Sequence, residues 1–185
     1  EAAGGVQLVA EILARRGLAG PQAVQAFLDP AAYTPASAWD FPGMDAAVRL
    51  LLGVLQQGGR ILVWGDFDVD GQTSTTVLVW ALRELGGDVI YHIPVRARES
   101  HGIGPAVLAE ILDGQGDPGV DLLLTCDTGI AAHEGLALAR QRGLKVIVTD
   151  HHLLPVRLPE AEAILNPHLL PEGHPASTLP GAGMA

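Results

Sequence analysis

The chain has 185 residues, a hydrophobic fraction of 48% and a formal net charge of −10. That length suffices to bury the core of one domain plus an appendage, and that composition excludes a disordered chain. The acidic balance argues against broad nucleic-acid binding by electrostatics alone, which needs a basic face.

Residues 6–28 read as helical. Val6, Leu8, Val9, Ile12 and Leu13 fall on one helical stripe that Gly17 stops. A second short helix opens at Pro21, a favourable first-turn residue, and ends before Asp29-Pro30. Pro30, Pro35 and Pro42 mark residues 30–43 as a loop, and a third helix is expected over 44–57, ended by Gly58-Gly59. From there the pattern alternates. Strands are expected at 61–65, 88–93, 121–126, 145–149 and 162–165, with helices at 72–85, 104–113 and 131–142. The fold class is therefore α/β: a mainly parallel sheet of about five strands flanked by helices, with an N-terminal helical segment. The expected division is a helical segment over 1–60 packing on the core, and a main domain over 61–185. No apolar run is long enough to span a membrane, so no membrane partner is expected. A lone cysteine, Cys126, leaves no disulfide framework and suits a reducing cytoplasm. Trp39 and Trp80 are expected to pack, while His92, His133, His168 and His174 are expected on surfaces or loops.

Three acidic segments each follow a Val/Ile/Leu-rich run: Gly65-Asp66-Phe67-Asp68-Val69-Asp70-Gly71, Cys126-Asp127-Thr128-Gly129 and Thr149-Asp150-His151-His152. Continuous apolar runs read as buried parallel strands, and open α/β sheets place their ligands at the carboxyl edge of such strands. Five Asp and two His would meet there. Hard carboxylates with imidazole suit divalent ions such as Mn²⁺ or Mg²⁺. The first segment resembles a calcium loop only superficially, since Val77 stands where that loop needs a bidentate Glu, and a strand precedes it. Crowded carboxylates beside Gly71 repel one another unless a cation compensates. Gly65 and Gly71 are expected to permit a sharp backbone turn. The run Thr73–Thr76 is expected to form the first turn of the next helix and cap its amides. Asp-Thr-Gly alone is an ordinary helix-opening turn, and Asp127 gains weight from the two acidic strand ends beside it. One carboxylate can bridge two ions, and a central strand suits that task.

Asp150-His151-His152 is the sharpest signal. Adjacent side chains diverge, so the two histidines are expected to do different jobs, one binding metal and the other meeting substrate or supplying a proton. Asp150 would fix a histidine tautomer. Arg96 and Arg98 follow the second strand. Their forks suit phosphate, and the equal alternative is a salt bridge to Glu99. Neither a P-loop nor a dinucleotide-binding glycine pattern is present.

Gly-Asp-Phe-Asp-Val-Asp-Gly, Cys-Asp-Thr-Gly-Ile and Val-Thr-Asp-His-His, in that order, resemble the DHH phosphoesterase superfamily. Leu13-Ala14-Arg15-Arg16-Gly17, Ala26-Phe27-Leu28-Asp29-Pro30 and Phe41-Pro42-Gly43-Met44-Asp45 resemble the opening of its RecJ single-strand exonucleases. So do the spacing Pro94-x-Arg96-x-x-Glu99-x-x-Gly102, Asn166-Pro167 and Pro180-Gly181-Ala182-Gly183. The resemblance implies a 5′→3′ exonuclease on single-stranded DNA, acting in repair and recombination. It would hydrolyse phosphodiesters with two Mn²⁺ or Mg²⁺ ions and release 5′-mononucleotides. It implies Asp66, Asp68, Asp70, Asp127 and His151 as metal ligands, with Asp127 bridging the ions. His152 would contact the scissile phosphate and Arg96 would hold DNA phosphate. A cytoplasmic monomer is implied, with a single-strand-binding protein and a helicase as candidate partners. Ser100-His101 stands where the family usually has Gly-Tyr, and a further family Asp ligand is expected beyond Ala185, in a longer protein. Two alternatives stay open: a DHH phosphodiesterase acting on nano-RNA or cyclic dinucleotides, and a non-catalytic repair or replication scaffold. The N-terminal helices argue against the first, and the intact acids and histidines against the second.

Overall fold

The computed structural model describes residues 4–18, 20–32, 34–99, 102–116 and 119–185. Ser100-His101, the departure from the family pattern, lies outside the described residues. The chain divides into two compact units, Glu1–Ala36 and Ser37–Ala185. The first holds α1 (Gln7–Arg15) and α2 (Pro21–Leu28), followed by a single 3₁₀ turn at Pro30–Ala32. Gly17 has φ +80° just past α1, a left-handed conformation that glycine adopts without penalty. Of the expected apolar stripe only Leu13 is buried; Val6, Leu8 and Ile12 are exposed.

The second unit carries the sheet. Its elements are α3 (Met44–Gln56), β1 (Arg60–Trp64), α4 (Val69–Glu84), β2 (Asp88–His92), α5 (Arg96–Glu99) and α6 (Pro105–Gly114). They continue with β3 (Leu122–Cys126), α7 (His133–Gln141), β4 (Lys145–Thr149), β5 (Ala163–Leu165) and α8 (Gly181–Met184). All five strands are parallel, in the order β2-β1-β3-β4-β5. Burial on both faces explains the unbroken runs of aliphatic residues. On one face Leu62, Trp64, Leu123, Val146 and Val148 pack with Leu108 of α6 and Leu136 and Ala139 of α7. Helices α3 and α4 pack against the sheet as well. Among the described residues no helix is long and apolar enough to cross a membrane.

The strands fall within a residue or two of their expected bounds, but three local expectations fail. Helix α4 starts at Val69, three residues early, because the Asp68 side chain accepts from the Gly71 amide and caps it. The hydroxyls of Thr73, Ser74, Thr75 and Thr76 are therefore inside the helix, donating to carbonyls four residues back rather than capping amides. Trp39 and Trp80 do not pack; they are 63% and 67% exposed.

Candidate metal centre

The register sets the site. Trp64 of β1 is level with Thr125 of β3, and Cys126 of β3 with Thr149 of β4. Each strand runs out into an acidic loop, so Asp66, Asp127 and Asp150 gather at one carboxyl edge. The chain leaves β1 for β2 on one side and returns to β3 on the other, which makes this edge the crevice where open α/β sheets bind ligands. Gly65 and Gly71 serve close approach rather than a special φ. A Cβ on Gly65 would collide with the Thr75 hydroxyl, and one on Gly71 would lie 2.5–2.7 Å from the Asp66 backbone. The Asp-Val-Asp turn is thereby pressed against the end of β1.

Asp127 is the centre of the cluster. It is 1% exposed and has φ 60°, the lone non-glycine with positive φ among the described residues. Such a conformation persists where surrounding contacts enforce it. Its Oδ1 is the one buried side-chain polar atom without a hydrogen-bond partner among the described residues. His151 Nε2 lies 3.0 Å from that oxygen but without hydrogen-bond alignment, and 3.5 Å from Asp70 Oδ2. Burial, followed by the charges of Asp70 and Asp68, pushes the Asp127 carboxyl up to about 7. A buried, unpartnered carboxylate oxygen facing an imidazole nitrogen among further acids is the donor set a divalent cation satisfies. Asp127, His151 and His152 each offer a ligand atom, all within 4.8 Å of one another.

Asp150 has different work. Its Oδ2 accepts from the Ile130 amide, and its Oδ1 from the amides of His151 and His152 and from His152 Nδ1 at 2.7 Å. This buried carboxylate is fully used in holding the histidine turn, and it leaves His152 Nε2 as the free ring nitrogen. Burial opposes a charge on His152, but the bond to Asp150 and the surrounding carboxylates outweigh it and raise its pKa. The two histidine rings do not diverge: their centroids are 4.7 Å apart at 50°. Their partners differ instead, Asp127 and Asp70 for His151 and Asp150 for His152.

Asp66 Oδ1 accepts from the Phe67 amide, and Asp68 Oδ1 from Gly71. Both oxygens of Asp70 accept backbone amides, from Gly181 and Ala182 at 2.7 Å each. Sequence reasoning missed these two donors; the Pro-Gly-Ala-Gly run entered it only as part of the family resemblance. Arg96 opens α5 with its guanidinium 4.7 Å from the Phe67 ring centroid, a cation–π contact at the rim of the acidic loop. Glu99 pairs with His92 Nε2 at 2.6 Å rather than with either arginine, and His92 stacks on Trp64 with ring centroids 4.5 Å apart. An open cavity beside His152 is walled by Ile103, Ile130, Ala131 and Leu153.

Residues 60–185 match the model of the DHH family, N-terminal domain. The chain is 42% identical over 144 residues to the single-stranded-DNA-specific exonuclease RecJ of Haemophilus influenzae, covering 77% of this chain and 24% of that protein. A crystal structure of exonuclease RecJ bound to manganese superposes with a TM-score of 0.72 at 37% identity, over 81% of this chain and 37% of the other. RecJ from Thermus thermophilus in complex with Mn²⁺ superposes with a TM-score of 0.68 at 32% identity, over 95% of this chain and 25% of the other. The chain thus spans about a quarter of the length of the curated relatives it matches. The matched span holds all five strands and every residue of the acidic cluster, and on it the chain belongs to the DHH family.

Proposed function

We propose that this chain carries the metal centre of a 5′→3′ exonuclease that hydrolyses single-stranded DNA to 5′-mononucleotides in repair and recombination. The observation that carries the reading is the buried Asp127 Oδ1 without a hydrogen-bond partner, 3.0 Å from His151 Nε2. Similarity to RecJ proteins, two of them solved with Mn²⁺, supports both the reaction class and the ion. Asp66, Asp68, Asp70, Asp127 and His151 would hold two Mn²⁺ or Mg²⁺ ions. Bound there, divalent ions supply an activated water and charge neutralisation at the phosphate.

The chain's own residues do the rest. Asp150 holds His152 through Nδ1, so that Nε2 is presented to a phosphate oxygen or to the leaving group. The raised pKa of His152 favours its protonated, phosphate-binding form. Arg96, braced on Phe67, offers a fork to the DNA backbone beside the acids. The cavity next to His152 leaves room for a nucleotide against apolar walls. Neutralising the acids on metal loading also lets a chain of net charge −10 receive a polyanion. The whole protein would act in the cytoplasm as a monomer, beside a single-strand-binding protein and a helicase. The test is full-length protein with Mn²⁺ on single strands labelled at either end. Mononucleotides released first from the 5′ label, and lost on chelation, are expected. No metal-dependent release, or release first from the 3′ label, would overturn the corresponding part.

A further inference from the structure

Asp70 is bound on both sides. Its Oδ2 accepts the Gly181 amide and its Oδ1 the Ala182 amide, each at 2.7 Å, across more than a hundred residues of sequence. Asp70 sits in the first turn of α4, and α8 packs against that helix. On its other side Gly181 lies against Asp127. A Cβ there would collide with Asp127 Oδ1 and stand 2.6 Å from its Cβ and Cγ. Gly181 is itself buried. One backbone segment therefore touches the two carboxylates that flank His151 Nε2, at 3.5 Å and 3.0 Å. It donates to one and leaves space for the other.

We propose that Gly181 and Ala182 are positioning residues of the metal centre. Their amides orient and charge-compensate Asp70, and the missing side chain of Gly181 sets where Asp127 stands. The inference rests on the metal-centre reading above. Two amide donors offset the repulsion between Asp70 and Asp127, and they fix which oxygen lone pairs face His151. The coupling is reciprocal: a clamp that raises metal affinity is itself tightened when metal binds. Glycine is needed at 181 for close approach to a carboxylate, and Ala182 contributes through its N–H rather than its side chain.

The experiment uses the full-length protein and Mn²⁺ alone as the probe. Gly181→Ala should weaken Mn²⁺ binding by titration calorimetry about tenfold or more, the range seen when residues supporting a ligand are altered. Gly53→Ala, within α3 and with open space around it, is the control and should bind within about twofold of wild type. Hydrogen exchange of wild type should slow at the 181 and 182 amides on adding Mn²⁺, a change a merely structural contact would not give. Wild-type affinity in Gly181→Ala, or exchange at 181 and 182 indifferent to Mn²⁺, overturns the clamp while leaving the metal centre standing. Absence of Mn²⁺ binding by wild type overturns both. If Gly181→Ala does not fold, the exchange measurement on wild type decides alone.

Discussion

Two neighbours at the end of β3 have their chemistry set by burial. Cys126 is held as a thiol: desolvation pushes it up to about 12, with Asp127 and Asp150 adding to the rise against a contact with Thr75. Cys126 in native protein at pH 8 should therefore react with a disulfide reagent at a rate limited by unfolding, and promptly in denaturant. Fast labelling of the native form would mean that the strand end is open. Asp127 is raised from 3.8 to about 7, so the folded state binds its proton more tightly than the unfolded state. Metal-free stability should then fall as pH rises from about 4 to about 7, by on the order of 3 kcal/mol. His152, also raised, adds loss in the same direction above its ordinary value of 6.5. Asp127→Asn cannot ionise and should flatten the fall in melting temperature between those pH values, while losing metal binding. An equal pH slope in that variant would remove Asp127 as its source. The sequence placed Asp127, Asp150 and both histidines at strand ends, since unbroken aliphatic runs before them left no other reading. It also set Asp150 apart as the partner of a histidine, which the 2.7 Å contact with His152 Nδ1 matches; which backbone amides reach each oxygen was beyond it.

At the scale of elements, the site is a junction of strand ends with the starts of helices. The Asp-Val-Asp segment reads as a loop in the sequence; in the structure Asp68 caps α4, and Asp70 already lies in its first turn. The cap was legible as an Asp three residues before Gly71, but the Thr/Ser run masked it, since hydroxyls suit a first turn as well as an interior back-bond. Close approach rather than backbone strain explains the glycines here. A Cβ on Gly71 meets the Asp66 backbone at 2.5–2.7 Å, so Gly71→Ala should cost about 3 kcal/mol by thermal melting. Gly53, within α3, has open space around it, and Gly53→Ala should gain roughly 0.5–1 kcal/mol from helix propensity alone. A neutral Gly71→Ala would mean that the turn is free to relax. Helix α8 and its amides on Asp70 were beyond the sequence, because nothing in a local pattern reports a contact with a helix more than a hundred residues away.

For the whole molecule, the alternation of strands and helices was enough to give five parallel strands, and the order β2-β1-β3-β4-β5 turns that alternation into a crevice. The exposure of Trp39 and Trp80 was not foreseen, because composition carries no information on which aromatic side chains the sheet leaves uncovered. The charge of −10 finds its local counterpart in the cluster around Asp127, where crowded acids repel one another and either a proton or a cation relieves the repulsion. The most direct test is anomalous diffraction from Mn²⁺-soaked crystals. A peak is expected within coordination distance of both Asp127 Oδ1 and His151 Nε2; no peak there, or manganese bound only elsewhere, would overturn the metal centre.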